Sequence, residues 1–80
     1  MITNLAIRQL TKERDNMMRE IAKRKKEIAR FSERLTHSLM PNQKNVLQAQ
    51  RAHQSTMLDA DQGALENLER LLTAEIASQS

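Results

Sequence analysis

Glycine and proline are almost absent from this chain, and their scarcity constrains the fold more than any other feature. The 80 residues contain one Gly and one Pro. A sheet protein needs many turns, and turns depend on Gly for positive φ angles and on Pro for a fixed φ. The chain is rich instead in strong helix formers, among them ten Leu and nine Ala. The sequence therefore predicts an all-α fold.

The segment around Pro41 is the one clear break in the helical pattern. Proline disfavours helical geometry in the residue before it, so residues 36–42 predict a turn. We expect a single domain over residues 1–80, with a first helix at about 3–39, a turn at about 39–42 and a second helix at about 42–78. Thr3 or Asn4 can cap the first helix. Helices of roughly 55 Å, at 1.5 Å per residue, favour a long antiparallel two-helix hairpin of the coiled-coil type.

Two polar or flexible residues interrupt the pattern of the second helix. Gly63 allows a break near residues 59–63, but an isolated glycine costs only about 1 kcal/mol in a helix, so we favour a continuous second helix. Asp61 lies on the apolar side of that helix. It could pair with Arg24 or Arg14 across the hairpin and fix the register, or it could mark a solvated break.

The apolar residues form a stripe on each predicted helix, and the two stripes differ in width. At 100° per residue, the stripe of the first helix covers roughly 80° and that of the second helix roughly 140°. A single neighbouring helix leaves part of the wider stripe in water, and exposed apolar surface typically marks an association surface. We therefore expect the hairpin to complete a bundle by self-association or by binding a helix of a protein partner. The residues expected to bind the partner are Met57, Leu58, Leu65, Leu68, Leu72 and Ile76.

Positive charge is concentrated in the first half of the chain. Residues 1–40 carry ten basic and five acidic side chains, net +5, whereas residues 41–80 carry three and five, net −2. Seven of the basic residues fall within roughly 80° of the first helix, opposite its apolar stripe. This basic stripe consists of Arg8, Lys12, Arg19, Lys23, Lys26, Arg30 and Arg34.

The basic stripe has two interpretations. It could attract the phosphates of a nucleic acid, since such stripes bind polyanions without sequence preference. It could also be a solvated outer face, with neighbouring glutamates pairing along the helix, for example Glu20 with Lys23 and Arg24. The adjacent acids and the lack of aromatic residues for base stacking favour the solvated face.

Residues that carry catalytic or metal chemistry do not form a motif. The chain has no Cys, and its two histidines, His37 and His53, lie on opposite sides of the turn. A stable metal site needs three or four converging ligands, and no glycine-rich phosphate loop is present. Catalysis also needs a concave, dry pocket, which two long helices do not supply. We expect no enzyme activity, no cofactor, no metal site and, because apolar runs are short, no membrane span.

The turn at residues 38–42 and the leucine-rich second helix, with Leu58, Leu65, Leu68 and Leu72, resemble the small co-chaperones of bacterial type III secretion. Those families are helical hairpins of similar size that help to keep needle subunits soluble by offering an apolar helical face. The likeness covers most of the chain and is one of shape and pattern. It implies a helical partner bound by the second helix and a site of action in the bacterial cytoplasm.

Three functions compete at this point. The width of the second stripe favours a non-enzymatic helical protein-binding module, a small chaperone or adaptor that covers an apolar helix of a partner. The basic stripe supports the alternative of a nucleic-acid-binding helical hairpin dimer. A structural or filament subunit is the further alternative, because a hairpin with an uncovered stripe can also associate with copies of itself.

Overall fold

The chain folds into two long helices packed against each other, which confirms the predicted all-α hairpin. The computed structural model describes residues 4–37 and 39–79. Helix α1 spans Leu5–Arg34 and helix α2 spans Pro41–Gln79. The molecule is a rod of 63 × 16 × 13 Å in which α1 packs lengthwise against α2.

Asn4 caps the beginning of α1. Its backbone is extended, with φ −81° and ψ 101°, and its Oδ1 accepts a hydrogen bond from the Ile7 N–H at 3.0 Å. This bond satisfies one of the four N–H groups that the first turn of a helix leaves without a partner. Of the two caps that the sequence allows, Asn4 is therefore in use. The alternative cap, Thr3, lies outside the described residues, as does the predicted start of the helix.

Helix α1 ends at Arg34, earlier than the end predicted near residue 39. The N–H groups of Thr36 and His37 donate to carbonyls three residues back, those of Glu33 at 3.0 Å and Arg34 at 3.2 Å. The Thr36 hydroxyl also donates to the Glu33 carbonyl at 2.6 Å. These short-range bonds tighten the last turn and replace the bonds that would continue the helix. The apolar pattern extends to Leu39, but it does so through a turn and not through helix.

Pro41 begins α2, so residues 41 and 42, which the sequence assigns to the turn, are helical. At the first position of a helix the missing N–H of proline costs nothing, and its fixed φ suits the helix. Gln43 Oε1 accepts a hydrogen bond from the Met40 N–H at 3.1 Å, and the Lys44 N–H donates to the Met40 carbonyl at 3.0 Å. The side chain of Gln43 thus supplies half of a capping box.

Helix α2 continues through Gly63 to Gln79, which confirms the favoured alternative. Gly63 has no positive φ, and a Cβ placed on it would meet no atom within 4 Å. Its conformation therefore does not require glycine. Because α2 is unbroken, Asp61 is held within the helix and does not belong to a solvated loop.

The seam between the helices is thin. Three apolar side chains among the described residues are buried: Ile21 near the middle of the rod, Leu47 near the turn and Leu72 near the open end. The other apolar residues along the seam remain partly accessible, as expected when two helices have no third neighbour. The rod therefore buries little apolar surface for its length.

A polar cluster crosses the seam between these apolar contacts. Arg24 Nε donates to Asp61 Oδ2 at 2.5 Å, and Arg24 Nη1 donates to Gln54 Oε1 at 3.0 Å. The side chains of Arg24 and Asp61 are only 18% and 14% exposed. Of the two partners that the sequence allows for Asp61, Arg24 is the observed one, whereas Arg14 pairs with Asp15 in its own helix. Since Gln54 and Asp61 are two turns apart, one register of the helices satisfies both bonds.

Candidate functional site

The six residues predicted to bind a partner differ in accessibility. Leu72 is buried in the seam, and only Ile76 is exposed. The remaining four are half-buried: Met57, Leu58, Leu65 and Leu68. The closed hairpin thus uses part of this set to cover α1. Their contact with a partner stays a prediction.

One side of the hairpin presents two rows of side chains that recur every seven residues. The α1 row consists of Glu13, Glu20 and Glu27, and the α2 row consists of Met57, Ala64 and Leu71. Glu20 immediately precedes the buried Ile21, and Leu71 immediately precedes the buried Leu72. In antiparallel helices the residues that precede seam positions face the same side, and a seven-residue spacing keeps each row there. We call this side the groove face; it also includes Met17 and Leu68, which lie between the rows.

The depressions along the seam agree with this assignment. Glu13, Glu20, Met17 and Leu68 line one depression. The next one towards the turn is lined by Glu20, Lys23, Arg24, Glu27 and Gln54 and contains no apolar side chain. Glu13 and Glu20 therefore border the same depression as Leu68 of α2.

The groove face combines accessible apolar surface with negative charge. Leu71 is 52% exposed, although it belongs to the broad apolar stripe of α2. Glu20 lies 3.6 Å from Arg24, and Glu27 lies 3.1 Å from Arg30. Glu13 forms no ion pair within the described part of the chain. An apolar row bordered by carboxylates suits a helix whose own apolar stripe is bordered by basic side chains.

Sequence reasoning missed Leu71 and the glutamate row as parts of a site. Leu71 is an apolar residue of α2, but it is not among the residues that the sequence predicts to bind a partner. The seven-residue spacing of Met57, Ala64 and Leu71 was a signal that could have identified the row. Its position opposite the glutamates could be assigned only once the hairpin showed which sides of the two helices meet.

The basic stripe is exposed along its whole length, since all seven of its residues are exposed. Glu20 contacts Arg24, as the sequence suggested, but it forms no ion pair with Lys23. Arg30 pairs with Glu27, and Arg19 Nη2 donates to Asn16 Oδ1. Six residues of the stripe form no ion pair with any described residue: Arg8, Lys12, Arg19, Lys23, Lys26 and Arg34. The glutamates beside the stripe thus leave most of its charge unpaired.

No group of three or more His, Asp or Glu side chains within residues 4–37 and 39–79 could hold a metal ion. His37 and His53 are both exposed; His37 lies in the turn after α1, whereas His53 lies in α2. The groove near the turn, of about 400 Å³, is lined mainly by neutral polar and apolar residues such as Leu39, Val46 and Gln50.

Comparison with models of protein families, with curated proteins and with solved structures finds no match to this chain. Across the part of the chain that the structure describes, neither helix is apolar enough over sufficient length to span a bilayer. The groove face and the basic stripe are therefore the two surfaces from which a function can be argued.

Proposed function

We propose that this protein is a non-enzymatic adaptor or chaperone that binds an amphipathic helix of a protein partner on the groove face. The observation that carries the proposal is the exposure of Leu71 on the groove face, where this leucine remains 52% exposed in the closed hairpin. Apolar surface of this kind, bordered by charge, is typical of association surfaces. Two long helices also provide the open groove into which a third helix packs.

The carboxylates of the groove face support a partner with basic side chains. Glu13 and Glu20 border the same depression as Leu68, so a bound helix would place its own flanking side chains beside these carboxylates. Basic residues at those positions would be attracted, and acidic ones would be repelled. The proposed partner is therefore a helix with an apolar stripe and lysine or arginine along one border.

The resemblance to type III secretion co-chaperones is compatible with this function. Under that hypothesis the partner would be a helical subunit that the protein keeps soluble in the bacterial cytoplasm before assembly. The groove proposal needs only the apolar and acidic rows, so it can be tested without knowing the natural partner.

Two designed helical peptides test the proposal. Both carry leucines at i, i+3, i+4 and i+7; one has lysine along the border of the stripe and the other has glutamate. We expect the lysine peptide to bind at least tenfold more tightly by isothermal titration calorimetry, because the carboxylates of the groove face attract it. Equal affinity of the two peptides would contradict the proposed charge preference.

Leu71→Asp and Met18→Asp provide the matched variants. Leu71 and Met18 are 52% and 51% exposed, but Met18 lies on the other side of α1 from Glu13 and Glu20. Burying a leucine contributes about 1.5–3 kcal/mol, so Leu71→Asp should weaken binding of the lysine peptide more than tenfold. Met18→Asp should change it less than about threefold. With helicity unchanged by circular dichroism, equal loss in both variants would place the binding site elsewhere.

A further inference from the structure

We infer that the basic stripe of α1 is a second binding surface, which contacts the phosphate backbone of double-stranded nucleic acid. The residues of the basic stripe differ from those assigned to the groove face, although Lys23 borders the same depression as Glu20 and Glu27, and Arg34 borders a depression lined by α2.

The continuity of the positive charge supports this inference. Arg8 and Arg34 are separated by about 39 Å along the helix at 1.5 Å per residue, which is slightly more than one turn of B-DNA. No Asp or Glu falls within the arc of roughly 80° that the stripe occupies. An uninterrupted helix thus presents a continuous line of cations to a polymer with one phosphate per about 1.7 Å of axis.

The ion pairs of the hairpin leave this charge available. Glu20 is engaged with Arg24, whose side chain points into the seam towards Asp61. Glu27 neutralises Arg30 alone. Lys12, Lys23 and Lys26 are exposed and form no ion pair with any described residue, so their charges are available to an external phosphate. A phosphate can therefore bind these lysines without first breaking an ion pair inside the hairpin.

The composition of the stripe selects the kind of polyanion. Between Arg8 and Arg34 the arc contains no aromatic and no large apolar side chain, and Phe31, the one aromatic residue, is half-buried at the seam. Binding of single strands relies on aromatic stacking, and binding of a membrane surface relies on apolar side chains that insert into it. A duplex needs neither, because its bases are stacked internally and its phosphates face outward.

The test compares two triple variants of the full chain that remove equal charge. The first is Lys12→Gln, Lys23→Gln and Lys26→Gln, within the stripe; the control is Lys25→Gln, Lys44→Gln and Arg70→Gln, outside it. All six side chains are exposed and form no ion pair with a described residue, so neither variant should affect folding. Fluorescence anisotropy with 20-base-pair DNA and RNA duplexes, at several salt concentrations, gives the affinity and its salt dependence.

We expect the stripe variant to bind a duplex more than tenfold more weakly at about 0.1 M salt. Its plot of log affinity against log salt should be shallower by roughly 2–3, since each lost phosphate contact removes about 0.9. The control should lose less than about threefold. Binding of the DNA duplex, the RNA duplex or both in this pattern supports the inference. Equal losses in the two variants, no binding at low salt, or equal binding of polyglutamate or anionic lipid vesicles would overturn it.

Discussion

At the scale of single residues, Arg24 is the side chain on which the register of the hairpin depends. It bonds to Asp61 and Gln54 on α2 and lies 3.6 Å from Glu20 on its own helix. A shift of α2 by one helical turn would separate Arg24 from both cross-seam partners and leave Asp61 unpaired against the seam. Polar groups at seam positions specify register in this way in other coiled coils.

Asp61→Ala should lower the free energy of unfolding by about 2–3 kcal/mol. Removal of one member of a buried ion pair costs roughly 3–5 kcal/mol because the other charge is left without a partner, and the residual exposure of Arg24 reduces that cost here. Urea denaturation followed by circular dichroism measures the change. The double variant Arg24→Leu, Asp61→Leu should lie within about 1 kcal/mol of the unmodified chain, since an apolar contact replaces the pair.

The pair Glu27–Arg30 serves as the control for this measurement. Its side chains are 37% and 73% exposed, and exposed pairs contribute about 0–1 kcal/mol. Glu27→Ala should therefore change the free energy of unfolding by less than about 0.5 kcal/mol. If Glu27→Ala and Asp61→Ala lowered the free energy of unfolding equally, the location of the Arg24–Asp61 pair across the seam would not matter for stability.

At the scale of the helices, sequence predicted what each element is better than where it ends. The scarcity of Gly and Pro identified two helices, and the cost of one glycine predicted that α2 continues through Gly63. The end of α1 was missed because it depends on hydrogen bonds of Thr36 and His37 to nearby carbonyls, which an apolar pattern does not report. Helix α2 begins at Pro41, one residue before the predicted start. Proline disfavours helical geometry in the residue that precedes it, but it is well suited to the first position of a helix.

Gly63→Ala should stabilise the hairpin. The helical backbone accepts alanine there without strain, and the added Cβ would meet no atom within 4 Å. Alanine is favoured over glycine in a helix by about 1 kcal/mol, which corresponds to a rise of roughly 4–8 °C in the melting midpoint of a domain of this size. Thermal unfolding measures it. The reverse change at the exposed Ala60, Ala60→Gly, should lower the midpoint by a similar amount, and a fall with Gly63→Ala would indicate a role for the glycine that the geometry does not show.

At the scale of the whole molecule, the sequence predicted the shape and the surplus of apolar surface but not its division between seam and groove. Leu72 and Leu71 are adjacent in the chain, yet one is buried and the other is 52% exposed. The width of the apolar stripe indicates that some side chains must remain uncovered. Which ones remain uncovered depends on the rotation of α2 against α1, and this rotation follows from side-chain packing and from the Arg24 cluster.

The free hairpin should form at least a dimer at about tens of micromolar concentration. Domains of this size gain little net stability from their own core, and in the absence of a partner the groove face can be covered by a second copy. Sedimentation equilibrium measures the association, and Leu71→Asp should weaken it while Met18→Asp should not. A cooperatively folded monomer at millimolar concentration would contradict the prediction, whereas growth without limit would indicate a filament subunit.

The polar cluster of Arg24, Gln54 and Asp61 also divides the hairpin into two arms of unequal length. It lies about 15 Å from the turn end of α1 and about 28 Å from the open end, at 1.5 Å per residue. Fluctuations that begin at the open end must break the hydrogen bonds of Arg24 with Asp61 and Gln54 before the separation can spread to the turn. The longer arm, towards the open end, can therefore separate and close again while the shorter arm, towards the turn, keeps the two helices in register. A hairpin of this kind can bind a third helix along its open arm, and α1 and α2 return to the same register when the arm closes again.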